Sequence, residues 1–171
     1  MTSVILSMLN DDIDHNKYVT SWEQSKWLVV SSTFFLFPGA YGFIQNLYIL
    51  PIVLLFTSLI SMNYWRHATY SYRRLIDRYF SKFAFLVFFV NGCMYIDSEQ
   101  LRMIGYANTI GMVYCYYLSE KYGLLLENGI PNNSTWLKYH MLFHIFTTCN
   151  QTIVIYGIVE NKKKNMICNE L

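Results

Sequence analysis

His140 and His144 are separated by one helical turn in the stretch His-Met-Leu-Phe-His. On a helix such an i, i+4 pair shares one face with Cβ atoms about 6 Å apart, a spacing that suits two ligands of one metal ion. The same face continues through Thr147, Thr148 and Gln151. Polar side chains inside an apolar helix usually face other helices rather than lipid. Hydrogen bonds to Ser58, Ser61 or Asn108 would satisfy them, at roughly 0.6–2 kcal/mol per contact. A second cluster places Arg66, His67, Arg73, Arg74, Asp77 and Arg78 close together. Its plainest role is a cationic loop against anionic head groups. Its tyrosines and Asp77 also offer stacking and ion-pair partners, enough for a folded cap. Three imidazoles, His67, His140 and His144, with the Asp77 carboxylate would make a zinc site with an open water position.

The elements that must carry these residues follow from charge. Only 14% of the 171 residues are charged and 54% are hydrophobic, against about 25% charged in soluble domains. From position 27 to 65 there is no Asp, Glu, Lys or Arg. Since a helical crossing of hydrocarbon takes about 20 apolar residues, this 39-residue run holds two. The pattern predicts an all-α transmembrane bundle of about five spans, near 27–43, 47–65, 79–96, 102–118 and 138–159. Polar tails flank it at 1–26 and 160–171. The break between the first two spans falls in Tyr41–Asn46, which puts Pro51 in a first helical turn, where its missing N–H costs little. Gly105 and Gly111 allow close helix approach in span four. Alternating ten-residue strands, the mark of a membrane barrel, are absent from the sequence. Trp22, Trp27, Trp65 and Trp136 fall at span edges, as an aromatic belt would.

Five spans put the 66–78 and 119–137 loops on one side, so His67, Asp77, His140 and His144 lie at similar depth. That side carries nine of the 13 Lys and Arg residues, which predicts it to be cytoplasmic. The Lys162–Lys164 cluster argues for the opposite parity, with six spans. On the cytoplasmic side the sequons at Asn132 and Asn133 would stay unmodified. The opening residues lack a basic n-region, so no cleaved signal is expected. The four cysteines show no CxxC spacing and read as buried free thiols. A net charge of +2 is too small for nucleic-acid binding. Phe, Tyr, Met, Ile, Asn and Lys make up 72 residues and Ala only four, the bias of an AT-rich genome.

A Ser and a His near the end of one span, an Asp soon after, and HxxxH in the last span resemble the layout of the alkaline ceramidase and adiponectin-receptor-like superfamily of membrane hydrolases. The resemblance covers about 30 residues. It implies a zinc ion whose bound water hydrolyses an amide in a lipid, with His67, His140 and His144 as ligands. Asp77 would orient the water, and Ser61 or Ser58 would be the family's serine. Two departures stand out. The family places its serine four residues before the histidine, where this chain has Asn63, and it has seven spans. The stretch Asn63-Tyr-Trp-Arg-His67 followed by Tyr-x-Arg-Arg-x-x-Asp also looks like uncharacterised multi-pass proteins of large DNA viruses.

Three functions follow as expectations. The first is a structural or scaffolding protein of a viral or organellar membrane, using Arg66, Arg73, Arg74 and Arg78 on anionic head groups or a partner, with self-association open. The second is a zinc-dependent hydrolase of a lipid amide or ester, with Asp77 and Ser61 as catalytic residues. The third is a small transporter or proton path along His140–Gln151.

Overall fold

The computed structural model describes residues 14–127 and 134–169, and the two sequons lie outside them. The chain is all-α, with five helices: α1 (Trp22–Ile44), α2 (Ile49–Trp65), α3 (Tyr72–Tyr95), α4 (Glu99–Glu127) and α5 (Thr135–Asn169). A 3₁₀ turn at Thr33–Phe35 runs within α1. A short ribbon, unforeseen from the sequence, pairs β1 (Asp14–Tyr18) antiparallel with β2 (Thr69–Tyr70), and the Val19 N–H donates to Ala68 O at 2.7 Å. The linker after α2 is thereby tied to the segment before α1.

Each expected span falls within or nearly within one helix, but length and hydropathy single out fewer of them. Trp22–Ile44 (23 residues) and Thr135–Met166 (32 residues) are long and apolar enough to cross a membrane, while Ile49–Trp65 is apolar but shorter. α3 opens on Arg73, Arg74, Asp77 and Arg78, and α4 alternates apolar residues with Asn108, Thr109 and tyrosines.

The α1–α2 turn is tighter than its sequence suggests. Helix geometry persists to Ile44, and Asn46 takes a left-handed conformation with φ 56°. The Leu47 N–H then donates to Gly42 O at 2.9 Å and the Asn46 N–H to Phe43 O at 3.0 Å, a Schellman termination with Asn in the αL position. Pro51 occupies the first turn of α2. It packs so closely on Gly42 that a Cβ there would lie 2.6 Å from the Pro51 ring. Of the thiols described, Cys115 is buried as expected, whereas Cys93 and Cys149 are exposed.

Two apolar clusters hold the bundle. One joins Leu28, Tyr64, Trp65, Ala68, Trp136 and Leu137; the other joins Leu50, Leu54, Phe88, Ile96, Val154, Ile155 and Val159. Along α2, Thr57, Ser58 and Ser61 fall between the residues of the two clusters. Along α5, His140, His144, Thr147 and Gln151 do the same. The core is thus layered, apolar at both ends and polar in the middle. Outside the relation reverses: Ile49 is 78% exposed, Ile110 71% and Phe37 69%.

Candidate functional site

The polar layer is built from hydroxyls and imidazoles on facing helices. α1 contributes Ser31 and Ser32, both fully buried. Ser31 Oγ lies 2.8 Å from His144 Nδ1, and Ser119 Oγ on α4 lies 3.0 Å from His140 Nδ1. Each ring is therefore oriented through Nδ1, which leaves Nε2 for another partner. The two rings meet edge-on with centroids 5.0 Å apart. On α2, Ser61 Oγ lies 3.0 Å from Ser32 Oγ, and the Ser58 hydroxyl donates to Ser32 O at 2.9 Å. The Asp77 carboxyl is buried beside the Ser61 hydroxyl and near Arg78.

Arg78 does not pair with Asp77. Its guanidinium donates to Glu120 on α4 at 3.1 Å, and Asp77 forms no ion pair among the described residues. Arg74 stacks instead on the Tyr70 ring, 4.2 Å from its centroid. The expected cap of arginines over tyrosines thus exists in part, anchored on β2.

Ser61, Asp77, His140 and His144 line one cavity of about 500 Å³, together with Arg74, Arg78, Trp65, Trp136 and Gln151. Its size falls in the range of small-molecule sites. On its lining residues, the buried atoms Trp65 Nε1, Trp136 Nε1 and Gln151 Oε1 have no hydrogen-bond partner among the described residues. A buried donor or acceptor left unsatisfied costs about 1–3 kcal/mol.

The other expected residues lie elsewhere. His67 is exposed and does not line the cavity. α2 ends at Trp65, the His67 N–H caps back to Tyr64 O, and the chain then turns into the ribbon. His67 therefore rides on a surface linker instead of the inner helix face. Arg66 and Arg73 are exposed as well. A ring does meet His140 from the end of α2, but it is the Trp65 indole, 5.0 Å away and edge-on.

The donor set consequently does not suit zinc. Among the described residues no group of three or more His, Cys, Asp or Glu side chains is arranged to hold a metal ion. The set expected from His67, His140 and His144 lacks its first member, because His67 is exposed and does not line the cavity.

Ser31, Ser32 and Ser119 escaped the sequence reading. The signal for the first two was present: Ser31-Ser32-Thr33 interrupts a run that is otherwise strongly apolar. Gln151, the last residue of the expected stripe, is buried and lines the cavity with His144. The chain matches no protein family, and no curated protein or solved structure is similar to it.

Proposed function

We propose that this chain is a multi-pass membrane protein whose five helices cross a bilayer and enclose an amphipathic ligand in the polar-layered cavity. The crossing is supported by the inverted distribution of side chains. Large apolar residues cover the outside of every helix, while Ser31, Ser32, Ser58, Ser61, Ser119, Asp77, His144 and Gln151 are withdrawn inside. An exposed apolar surface of this extent belongs against lipid, and buried polar groups of a membrane bundle face its interior.

The observation that carries ligand binding is the cavity of about 500 Å³ itself, lined by Ser61, Asp77, His140, His144 and Gln151 together with Arg74 and Arg78. A purely architectural bundle would gain by closing that space with apolar side chains. Resemblance to the alkaline ceramidase and adiponectin-receptor-like superfamily supports the same reading in altered form. Ser61, Asp77, His140 and His144 share the cavity, which supports the resemblance at those four positions, while His67 lies outside it. Four residues after Ser61 comes Trp65, where the family's spacing calls for a histidine. This chain then reads as a relative that keeps a lipid cavity and lacks one metal ligand.

Organic extraction and mass spectrometry of the detergent-purified protein, with elemental analysis of the same sample, test this. We expect a co-purifying amphiphile and zinc below about a tenth of an atom per chain. Close to one zinc per chain, lost in His140→Ala/His144→Ala, would restore the hydrolase reading. Absence of any bound amphiphile would return the chain to a scaffolding role.

A further inference from the structure

We infer that the ligand is a single-chain amphiphile with an anionic head group, carboxylate or phosphate, entering sideways between α3 and α4. The inference rests on the ligand-binding reading above. α3 and α4 are consecutive and joined by a short turn, yet they touch only sparsely. α4 packs along α5, and α3 packs on α2 and α5. The cavity wall includes residues of both helices that also face outward: Phe85 (42% exposed) and Lys82 on α3, Val113 (54%) on α4. A wall residue exposed on the bundle's apolar exterior marks an opening toward lipid rather than toward water. Across this seam runs one ion pair, Arg78–Glu120, with both side chains 40% exposed. An anionic head group competes with Glu120 for Arg78 there.

The head-group chemistry follows from how donors are distributed along the cavity. At the end nearest the 66–71 linker stand Arg74, Arg78 and Lys82, beside the rings of Trp65 and Trp136. Of the acidic residues there, Glu120 is already engaged by Arg78 and Asp77 lies against Ser61. Guanidinium and ammonium groups only donate, so they select a head rich in acceptors, and their charge selects an anionic one. Farther along, the wall mixes Phe85, Met112 and Val113 with the uncharged Thr147 and Gln151 and carries no cation. From Trp136 to Gln151 the cavity follows α5 for about 22 Å, at 1.5 Å per residue, long and narrow enough for one extended chain. A head-group cation, a neutral alcohol or a two-chain lipid meets this arrangement less well.

The test uses the full chain in phosphatidylcholine nanodiscs with Trp22 and Trp27 changed to Phe, so that emission comes from the cavity pair. Brominated hexadecanoate, lysophosphatidate, hexadecanol and hexadecyltrimethylammonium are titrated as quenchers. At least one of the two anions should bind about tenfold more tightly than the alcohol, the effect of a charge-assisted hydrogen bond. Whichever anion prevails identifies carboxylate or phosphate. Arg74→Gln/Arg78→Gln should bring the anion to the affinity of the alcohol without moving the alcohol itself. Glu120→Gln should tighten the anion about threefold by freeing Arg78, a gain that mere structural damage would not produce. Equal quenching by alcohol, cation and anions would overturn the head-group inference and leave the cavity reading standing. No quenching by any of the four would overturn both.

Discussion

At the scale of single residues, the site depends on serines that orient imidazoles. Ser31 is the clearest case, because it is fully buried and its hydroxyl is the partner of His144 Nδ1. Ser31→Ala removes about one methyl-sized volume's worth of oxygen, but leaves a buried ring nitrogen without a bond. That should cost about 1–3 kcal/mol of stability, read as a lower unfolding temperature in detergent. His144→Phe keeps a ring in the same space against Phe35 and removes the need for the serine. In the double variant the serine change should therefore cost much less than it does alone. A purely additive cycle would show that the contact carries no coupling.

Residue chemistry was readable in the sequence only where spacing forces it. His140, His144, Thr147 and Gln151 had to share a face once α5 was helical, so their convergence could be foreseen. His67 could not be excluded in the same way. Whether the residue two places past a helix end turns inward depends on where the helix stops and what the next segment pairs with. Here the β1–β2 ribbon draws the linker outward. The partners Ser31 and Ser119 lie 113 and 21 positions from their histidines, and no local pattern connects residues across such distances.

At the scale of elements, close approach of α1 and α2 depends on glycine. At Gly42 an added Cβ would stand 2.6 Å from a ring carbon of Pro51, which cannot move as a flexible side-chain end would. Gly42→Ala should destabilise the bundle by about 1–3 kcal/mol through overpacking. Gly123 in α4 has nothing within 4 Å of the same position. Gly123→Ala should therefore leave stability unchanged or raise it by about 0.5–1 kcal/mol, from helix propensity alone. Chemical denaturation of the two variants in one detergent provides the comparison, and equal losses would contradict the packing described. The helices themselves were legible, because apolar runs of the right length admit little else. The tight Schellman turn was not, since Asn46 as its αL residue looks like any other loop asparagine.

At the scale of the whole molecule, the layered core and the apolar exterior belong together. Polar residues on three helices coincide in level because α1, α2 and α5 pack side by side, with an apolar cluster on either side of the polar layer. The sequence revealed the uncharged blocks that make this possible. It did not reveal the layering, which depends on how far each helix slides past its neighbours. Crossing by all five helices is the claim on which the rest depends, since α3 and α4 are less apolar than α1 and α5. It predicts that the two ends of α3 lie on opposite membrane faces, with the 66–71 linker in the cytoplasm. The most direct measurement labels single cysteines, His67→Cys and Asp97→Cys, in intact cells with a membrane-impermeant maleimide, after Cys93, Cys115, Cys149 and Cys168 are changed to Ser. Both positions are exposed, and the 24-residue α3 between them spans about 36 Å at 1.5 Å per residue. We expect Asp97→Cys to label at once and His67→Cys only after the membrane is opened. Labelling of both from the same side would contradict the crossing of α3 and with it the five-span bundle.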